Sequence, residues 1–175
     1  MELINTNRSD DKDYRYKVVK IKSENIGNGK KTILSNIDAV AESIGHPCNI
    51  MLKYVSSKIG SSCNEKDKSI NGHYTSEKIM DYIFDYIDTF ANCKTCGKPE
   101  IYPKIDSISK KKFKITFNCR ACGSNYEIDS TKDCDSKTLN NIKNYLSNKD
   151  WPMVESMKTE PVKKEDSSIK FNPFI

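Results

Sequence analysis

The chain contains no long hydrophobic run, and histidine, tryptophan and arginine are scarce in it. None of its 175 residues lies in a continuous apolar stretch of the roughly 20 residues that a membrane helix needs. The opening residues, MELINTNRSDDKDYRYK, lack the apolar core of a secretion signal, and their early acidic side chains argue against a transit peptide. We therefore expect a cytoplasmic protein that has no membrane segment.

The scarcity of histidine limits the chemistry that the chain can perform by itself. Its two histidines, His46 and His73, do not belong to a recognisable nucleophile constellation or to a site that could activate a metal-bound water. His46 directly precedes Pro47, where a turn residue is the simpler interpretation. The sequence therefore does not predict a free-standing enzyme.

Lysine has largely taken the place of arginine. Of 29 basic side chains 26 are lysine, and the three arginines are Arg8, Arg15 and Arg120. A retained arginine is then a candidate for guanidinium chemistry, because an ammonium group cannot supply planar, bidentate donors. The net charge of +5 permits an RNA partner without requiring one.

Four of the seven cysteines form two CxxC pairs, each followed by glycine. The pairs are Cys93-x-x-Cys96 and Cys119-x-x-Cys122, with 22 residues between them. Two intervening residues let both sulfurs of a pair reach one ion, and four thiolates close the shell of a tetrahedral zinc. A closed shell is typical of a structural zinc site, and an iron–sulfur cluster or redox-active dithiols are the alternatives.

Residues 101–118, between the pairs, alternate like strands around a polar tip, which predicts a zinc ribbon. For the lysines near the tip, contact with RNA phosphates and simple exposure to solvent agree equally well with the sequence. These lysines are Lys110, Lys111, Lys112 and Lys114. We interpret the three other cysteines as small, buried apolar side chains rather than metal ligands: Cys48, Cys63 and Cys134.

Apolar periodicity upstream of the cysteines predicts a mixed core. A Gly-Asn-Gly turn at residues 27–29 leads into a strand at 31–34, and helices are predicted over 37–44, 47–59, 76–90 and 137–146. Asn36 is a favourable N-cap, and Asn71-Gly72 suggests a turn or hairpin. The predicted class is α+β, with a mobile N-terminal arm (1–25), an α-β core domain (26–91), a zinc ribbon (92–130), a C-terminal helix (131–148) and a disordered tail (149–175).

Several short motifs accompany this order of parts. They are Gly27-Asn-Gly-Lys-Lys-Thr, Asn36 with Val40 and Ala41, His46-Pro47, Lys53-Tyr54, Lys58-Ile59-Gly60, Asn71-Gly72 and both CxxC knuckles. In this combination residues 5–146 resemble the domain shared by translation initiation factor 5 and the β subunit of initiation factor 2. The arm, Asn7-Arg8-Ser9 and Tyr14-Arg15-Tyr16-Lys17, is similar to factor 5; the β subunit has no matching arm.

The resemblance implies a factor that promotes GTP hydrolysis by the γ subunit of initiation factor 2 during start-codon selection. The arm arginine of factor 5 is implicated in this acceleration, and Arg15 is its counterpart here. The resemblance also points to Lys17, Lys31 and Lys53 as contacts for the GTPase, initiator tRNA or small-subunit ribosomal RNA. We expect a monomer with a structural zinc.

Two departures from factor 5 accompany the resemblance. The arm is one residue shorter between Ser9 and Tyr14, and the sequence stops before the helical-repeat domain with which factor 5 grips its partners. A second hypothesis is therefore a non-catalytic protein, a β-like subunit or a competitor, that binds the γ subunit, initiator tRNA or the small ribosomal subunit. A third is a zinc-ribbon protein of transcription.

Overall fold

The structure, a computed structural model, describes residues 1–107, 113–128 and 133–152. Within them the chain forms three antiparallel sheets and four α-helices, and this mixed α/β architecture confirms the predicted fold class. Residues 108–112 of the predicted tip (107–112), the side chain of Cys134 and the predicted tail beyond residue 152 lie outside the described part. No helix in the described ranges is long and apolar enough to span a membrane.

The elements follow one another in an order that separates the core from the ribbon. The strands are β1 Leu3–Asn5, β2 Lys17–Val19, β3 Ser23–Ile26, β4 Lys31–Leu34, β5 Cys63–Asn64, β6 Ser69–Asn71, β7 Ile101–Ser107, β8 Phe113–Cys119 and β9 Asn125–Tyr126. The helices are α1 Ile37–Ser43, α2 Cys48–Ile59, α3 Ser76–Tyr86, which continues as a π-helical turn Ile87–Ala91, and α4 Asp133–Leu146. The sheets have the orders β1-β2, β3-β4-β6-β5 and β7-β8-β9.

Residues 1–25 differ from the predicted mobile arm because both ends of this segment lie on the core. β1 and β2 pair antiparallel, and the Val18 and Ile21 side chains are buried. These few apolar residues are surrounded by charges in the sequence, so their burial was not evident there. Residues 6–16, which we call the Arg15 loop, connect the two strands.

The four-stranded sheet forms around the predicted strand at residues 31–34, which is confirmed as β4. The turn between β3 and β4 needs three successive residues with positive φ, and Gly27, Asn28 and Gly29 have values of 65°, 55° and 78°. Glycine and asparagine tolerate this left-handed region better than other residues. The motif is therefore explained by backbone geometry.

The second hairpin of this sheet turns earlier than Asn71-Gly72 suggested. Asn71 still pairs with Lys31 of β4, so β6 continues through it. The turn lies instead at residues 65–68, between β5 and β6. Pairing with a neighbouring strand thus outweighed the local turn preference.

Asn36 occupies the N-cap position of α1, as predicted, but its side chain does not bond the helix. Its Oδ1 accepts from the Lys22 N–H at 2.7 Å, and its Nδ2 donates to the Lys20 carbonyl at 2.9 Å. Asn36 therefore holds the chain between β2 and β3 against the start of α1. These two hydrogen bonds fix the β1-β2 hairpin relative to the core.

An aromatic cluster joins the core to the ribbon. Tyr54 of α2 packs against Tyr86 and Phe90, with ring centroids 5.2 and 5.7 Å away. Phe90 in turn lies 6.2 Å from Phe117 of β8, and all four rings are fully buried. Aromatic side chains bury large apolar areas, so this cluster makes the ribbon part of the same hydrophobic core.

The last helix and His46 complete this core. α4 begins at Asp133, four residues before the predicted start, and its Ile142 is fully buried. His46 is also buried, so it is more than the turn residue that was predicted. Its Nδ1 lies 2.8 Å from the Tyr86 hydroxyl, and burial lowers its pKa to about 3.

We expect the stability of the protein to fall as the pH drops below about 6.5, because of His46. The unfolded chain then binds a proton that the buried imidazole excludes until the pH approaches its folded pKa of about 3. Between about pH 6.5 and pH 5 this linkage lowers the free energy of unfolding by up to about 1.4 kcal/mol per pH unit. Chemical denaturation across this range measures it.

The matched variants for this experiment are His46→Gln and His73→Gln. The first removes the buried titrating group and should flatten the pH dependence, while the second changes an exposed histidine and should leave it intact. An unchanged slope in His46→Gln would contradict the assignment.

Candidate metal centre and Arg15 loop

The two CxxC pairs lie on knuckles with the same backbone geometry. In each, the N–H of the first cysteine, Cys93 or Cys119, donates to the carbonyl five residues later at 2.9 Å. The carbonyl of that cysteine accepts from the glycine four residues later, Gly97 or Gly123, at 2.8 and 2.9 Å. These glycines have φ values of 71° and 73°, which explains why glycine follows each pair.

The knuckles bring their four sulfur atoms together. All of the Sγ atoms lie within 4.8 Å of one another, and the closest pairs, Cys93 with Cys122 and Cys96 with Cys119, are 3.7 Å apart. Four thiolates about 2.3 Å from one tetrahedral ion would be separated by about 3.8 Å. The separation is much larger than a disulfide bond of about 2.0 Å. The cysteines therefore fit a metal site.

Hydrogen-bond donors lie beside two of the sulfur atoms, those of Cys93 and Cys122, and lower the pKa of both thiols. The Ser124 hydroxyl lies 3.2 Å from Cys93 Sγ and 3.1 Å from Cys122 Sγ, and the Thr95 N–H donates to Cys93 Sγ at 3.4 Å. Burial raises the pKa of the Cys93 thiol, but hydrogen bonds from Ser124 and backbone N–H groups outweigh it and lower the pKa to about 6. Such donors outside the ligand shell stabilise bound thiolates.

Backbone and side-chain contacts also order the Arg15 loop. The Thr6 N–H donates to the Tyr16 carbonyl at 3.0 Å and closes the loop at its base. The buried Asn5 amide donates across it to the Ser9 and Asp11 carbonyls, at 2.7 and 2.6 Å. The loop therefore has a defined shape.

Arg15 stands between two tyrosines that face the protein. Tyr14 and Tyr16 are half-buried, whereas Arg15, at a bend between them, is exposed. The guanidinium carbon of Arg15 lies 5.7 Å from the centroid of the Tyr16 ring. The arginine is thus outside the hydrophobic core and lies beside the Tyr16 ring.

The Tyr16 hydroxyl donates a hydrogen bond to the Glu100 carboxylate, in the segment that joins the first knuckle to β7. Burial and this hydrogen bond together raise the pKa of Tyr16 to about 12, so the hydroxyl keeps its proton at neutral pH. Glu100 is 84 positions from Tyr16 in the chain, so this contact has no signal in the sequence.

Arg8 forms a further contact of the loop, one that the sequence did not predict. Its guanidinium forms an ion pair with Asp88 and lies 5.0 Å from the centroid of the Phe84 ring. Arg8 itself has a positive φ of 59°. It holds the loop against α3 and the π-helical turn.

The lysines singled out from the sequence form contacts within the chain. Lys31 forms an ion pair with Asp67, and Lys53 Nζ lies 2.8 Å from Glu65 Oε1. Both acids belong to the turn between β5 and β6, so the fold brings these two lysines to one turn. Lys17 lies instead at the base of the Arg15 loop, where its Nζ donates to the Lys12 carbonyl at 2.9 Å.

The fold and the site define a class of protein. It is an α-β domain whose hydrophobic core extends into a small sheet with two CxxC knuckles. A family model described as a domain found in initiation factors 2B and 5 matches residues 6–125, and the chain belongs to this family. This confirms the predicted resemblance to the N-terminal domain of initiation factor 5. Because the match includes the core and the knuckles, it gives no support to a zinc-ribbon protein of transcription.

Three relatives of this chain in distant organisms are named as initiation factor 5. "Eukaryotic translation initiation factor 5" of Caenorhabditis elegans is 33% identical over 133 residues, which is 72% of this chain and 29% of the relative. The Drosophila melanogaster protein of that name is 35% identical over 130 residues, 70% of this chain and 27% of the relative. "Probable eukaryotic translation initiation factor 5" of Schizosaccharomyces pombe is 31% identical over 160 residues, which is 85% of this chain and 40% of the relative. The chain thus spans less than half the length of these relatives.

We expect Cys119→Ser to lose the bound metal and to destabilise the protein. Because four thiolates at this spacing would share one ion, removing one should cost on the order of 3 kcal/mol or more, or roughly 10 °C in Tm. Elemental analysis of the purified protein and thermal unfolding measure the two effects. Cys63→Ser, which changes a half-buried cysteine outside the cluster, is the control and should retain one metal equivalent. Full metal content in Cys119→Ser would contradict the four-ligand site.

Proposed function

We propose that this protein promotes GTP hydrolysis by the γ subunit of initiation factor 2 during start-codon selection, with Arg15 as an arginine supplied in trans. Membership of the initiation factor 5 family supports the reaction. The observation that carries the assignment of the residue is the placement of Arg15, exposed at the end of an ordered loop between two half-buried tyrosines. The protein is then an activator of another protein's active site.

The chemistry of phosphoryl transfer explains why a guanidinium is suited to this role. In the transition state negative charge spreads over the oxygens of the transferred phosphoryl group, and a planar cation with several N–H donors can contact more than one of them. Arginines supplied in this way contribute roughly 10³–10⁵ in rate. A loop that is already ordered loses less conformational entropy when it binds, which favours productive placement.

We further propose that the four cysteines bind zinc. Tetrahedral sulfur sites bind zinc or iron–sulfur centres. The close approach of the sulfur atoms favours a single ion, because the irons and sulfides of a cluster would hold the cysteines farther apart. Zinc bound here supplies folding energy, and its closed shell leaves no position for a reacting water. The cysteines hold the two knuckles together and thereby position the segment that includes Glu100.

The lysines provide a surface for the initiator tRNA or the small-subunit ribosomal RNA, in addition to the GTPase. Lys31 and Lys53 lie beside the turn at residues 65–68, and each forms an ion pair there. Exposed ion pairs contribute little stability, so phosphate groups can replace the carboxylates at low cost. Lys17 lies at the base of the Arg15 loop, where it would contact the same partner as Arg15.

We expect Arg15→Ala to lower GTP hydrolysis by the factor 2 ternary complex on small ribosomal subunits by a factor on the order of 10³. Arg15→Lys should recover only a small part of the activity, since it restores the charge but not the planar donors. The measurement is single-turnover hydrolysis with saturating protein. Lys20→Ala removes one positive charge after the second strand of the same hairpin, and this control should keep the wild-type rate. Equal rates for wild type and Arg15→Ala would favour the non-catalytic hypothesis.

We expect the double variant Lys31→Gln/Lys53→Gln to bind small ribosomal subunits with initiator tRNA more weakly than the wild type. Each lost phosphate contact should also reduce the salt dependence of the binding constant by about one unit of logarithmic slope. Equilibrium binding at several salt concentrations gives both quantities. The pair Lys20→Gln/Lys22→Gln is the control of equal charge. If both double variants lose affinity equally, the effect comes from net charge rather than from this surface.

A further inference from the structure

The backbone of Glu100 connects the two knuckles. Its carbonyl accepts from the Arg120 N–H, directly after the first cysteine of the second knuckle, at 3.0 Å. Its own N–H donates to the Lys98 carbonyl at 2.9 Å, and that carbonyl also accepts from the Cys93 N–H at 2.9 Å. Both knuckles therefore fix the main chain at Glu100.

The side chain of Glu100 links this fixed main chain to the Arg15 loop. It accepts the hydrogen bond of Tyr16, whose ring lies beside the Arg15 guanidinium and whose carbonyl accepts the Thr6 N–H at the base of the loop. A continuous series of contacts thus runs from the knuckles to the residue next to Arg15. A hydrogen bond to a carboxylate is stronger than one between neutral groups, so this contact is suited to fix a loop.

The other contacts of the loop have different partners. Asn5 bonds carbonyls within the loop itself, and Arg8 contacts Phe84 and Asp88. They set the internal shape of the loop and its approach to α3. Tyr16 is adjacent to Arg15 and bonds Glu100, so it links the arginine's neighbourhood to the segment between the first knuckle and β7.

We propose that Tyr16 and Glu100 are positioning residues through which the folded ribbon holds the Arg15 loop. This inference rests on the proposed function of Arg15 for its consequence in hydrolysis, but its structural part can be tested separately. It gives the ribbon a task in activation beyond its own folding. The ribbon fixes the orientation of an arginine that lies far from it in the sequence.

The structural test compares amide hydrogen exchange in metal-loaded wild type, Tyr16→Phe and Tyr14→Phe. Tyr16→Phe removes only the hydroxyl that reaches Glu100, and exchange of the Thr6 N–H should accelerate by about tenfold. Tyr14→Phe is the matched control, because the Tyr14 hydroxyl lies only at the limit of hydrogen bonding, 3.5 Å from the Thr6 Oγ1. Amides of α2 should exchange at wild-type rates in all three proteins, which shows that the core is intact.

Glu100 supplies the second half of the test. Glu100→Ala should accelerate Thr6 exchange as much as Tyr16→Phe does, whereas Glu100→Gln keeps an oxygen that can accept the bond and should restore part of the protection. The double variant Tyr16→Phe/Glu100→Ala should be no faster than either single variant. Thr6 exchange at the wild-type rate in Tyr16→Phe would overturn the proposal, as would additive effects in the double variant.

Hydrolysis assays then separate this inference from the proposed function. Tyr16→Phe should lower the single-turnover rate by about tenfold at saturating protein, with less effect on binding, because the arginine is present but poorly oriented. If Tyr16→Phe loosens the loop but Arg15→Ala still stimulates GTP hydrolysis by the factor 2 complex at the wild-type rate, the proposed function fails while the structural inference stands. If Arg15→Ala is inactive and Tyr16→Phe leaves exchange and rate unchanged, the positioning role fails instead.

Discussion

The packing of Phe117 on Phe90 is the contact on which the rest of this structure depends. Phe90 belongs to the π-helical turn after α3, and its ring also contacts Tyr54 and Tyr86 in the core. The ribbon is therefore joined to the core through buried aromatic area in addition to the backbone connection. Because rings packed at this density resist displacement, the knuckles have a fixed position relative to α2 and α3. That position places the segment before β7 beside the N-terminal hairpin.

Under the proposed function, the N-terminal hairpin presents its arginine to a partner without burying it. Two half-buried tyrosines, an internal amide and an ion pair hold the Arg15 loop, while the arginine between the tyrosines faces outward. This arrangement suits a side chain that acts in a partner, because the ordering cost is met before binding. The four-cysteine cluster contributes to the same result indirectly, by holding the knuckles from which Glu100 extends.

The lysine surface follows a different principle. Lys31 and Lys53 are paired with acids of one turn, and these pairs are partly exposed. Ion pairs of this kind are weak because solvent screens them. They partly neutralise the two lysines in the free protein, and they leave them able to exchange a carboxylate for a phosphate. Under the proposed function, this arrangement would favour an RNA that offers several phosphates together.

The sequence by itself determined the local features of the protein. Cysteine spacing and following glycines predicted the four-sulfur cluster, and apolar periodicity predicted α2 and α3, because these depend on neighbours a few residues away. Only the tertiary structure decided that Val18 and Ile21 fold the arm onto the core, that Asn36 bonds backward to Lys20 and Lys22, and that Glu100 meets Tyr16. Those contacts join residues far apart in the chain, and their geometry depends on how whole elements pack. Hydrogen bonds between distant polar side chains leave no periodic signal in a single sequence.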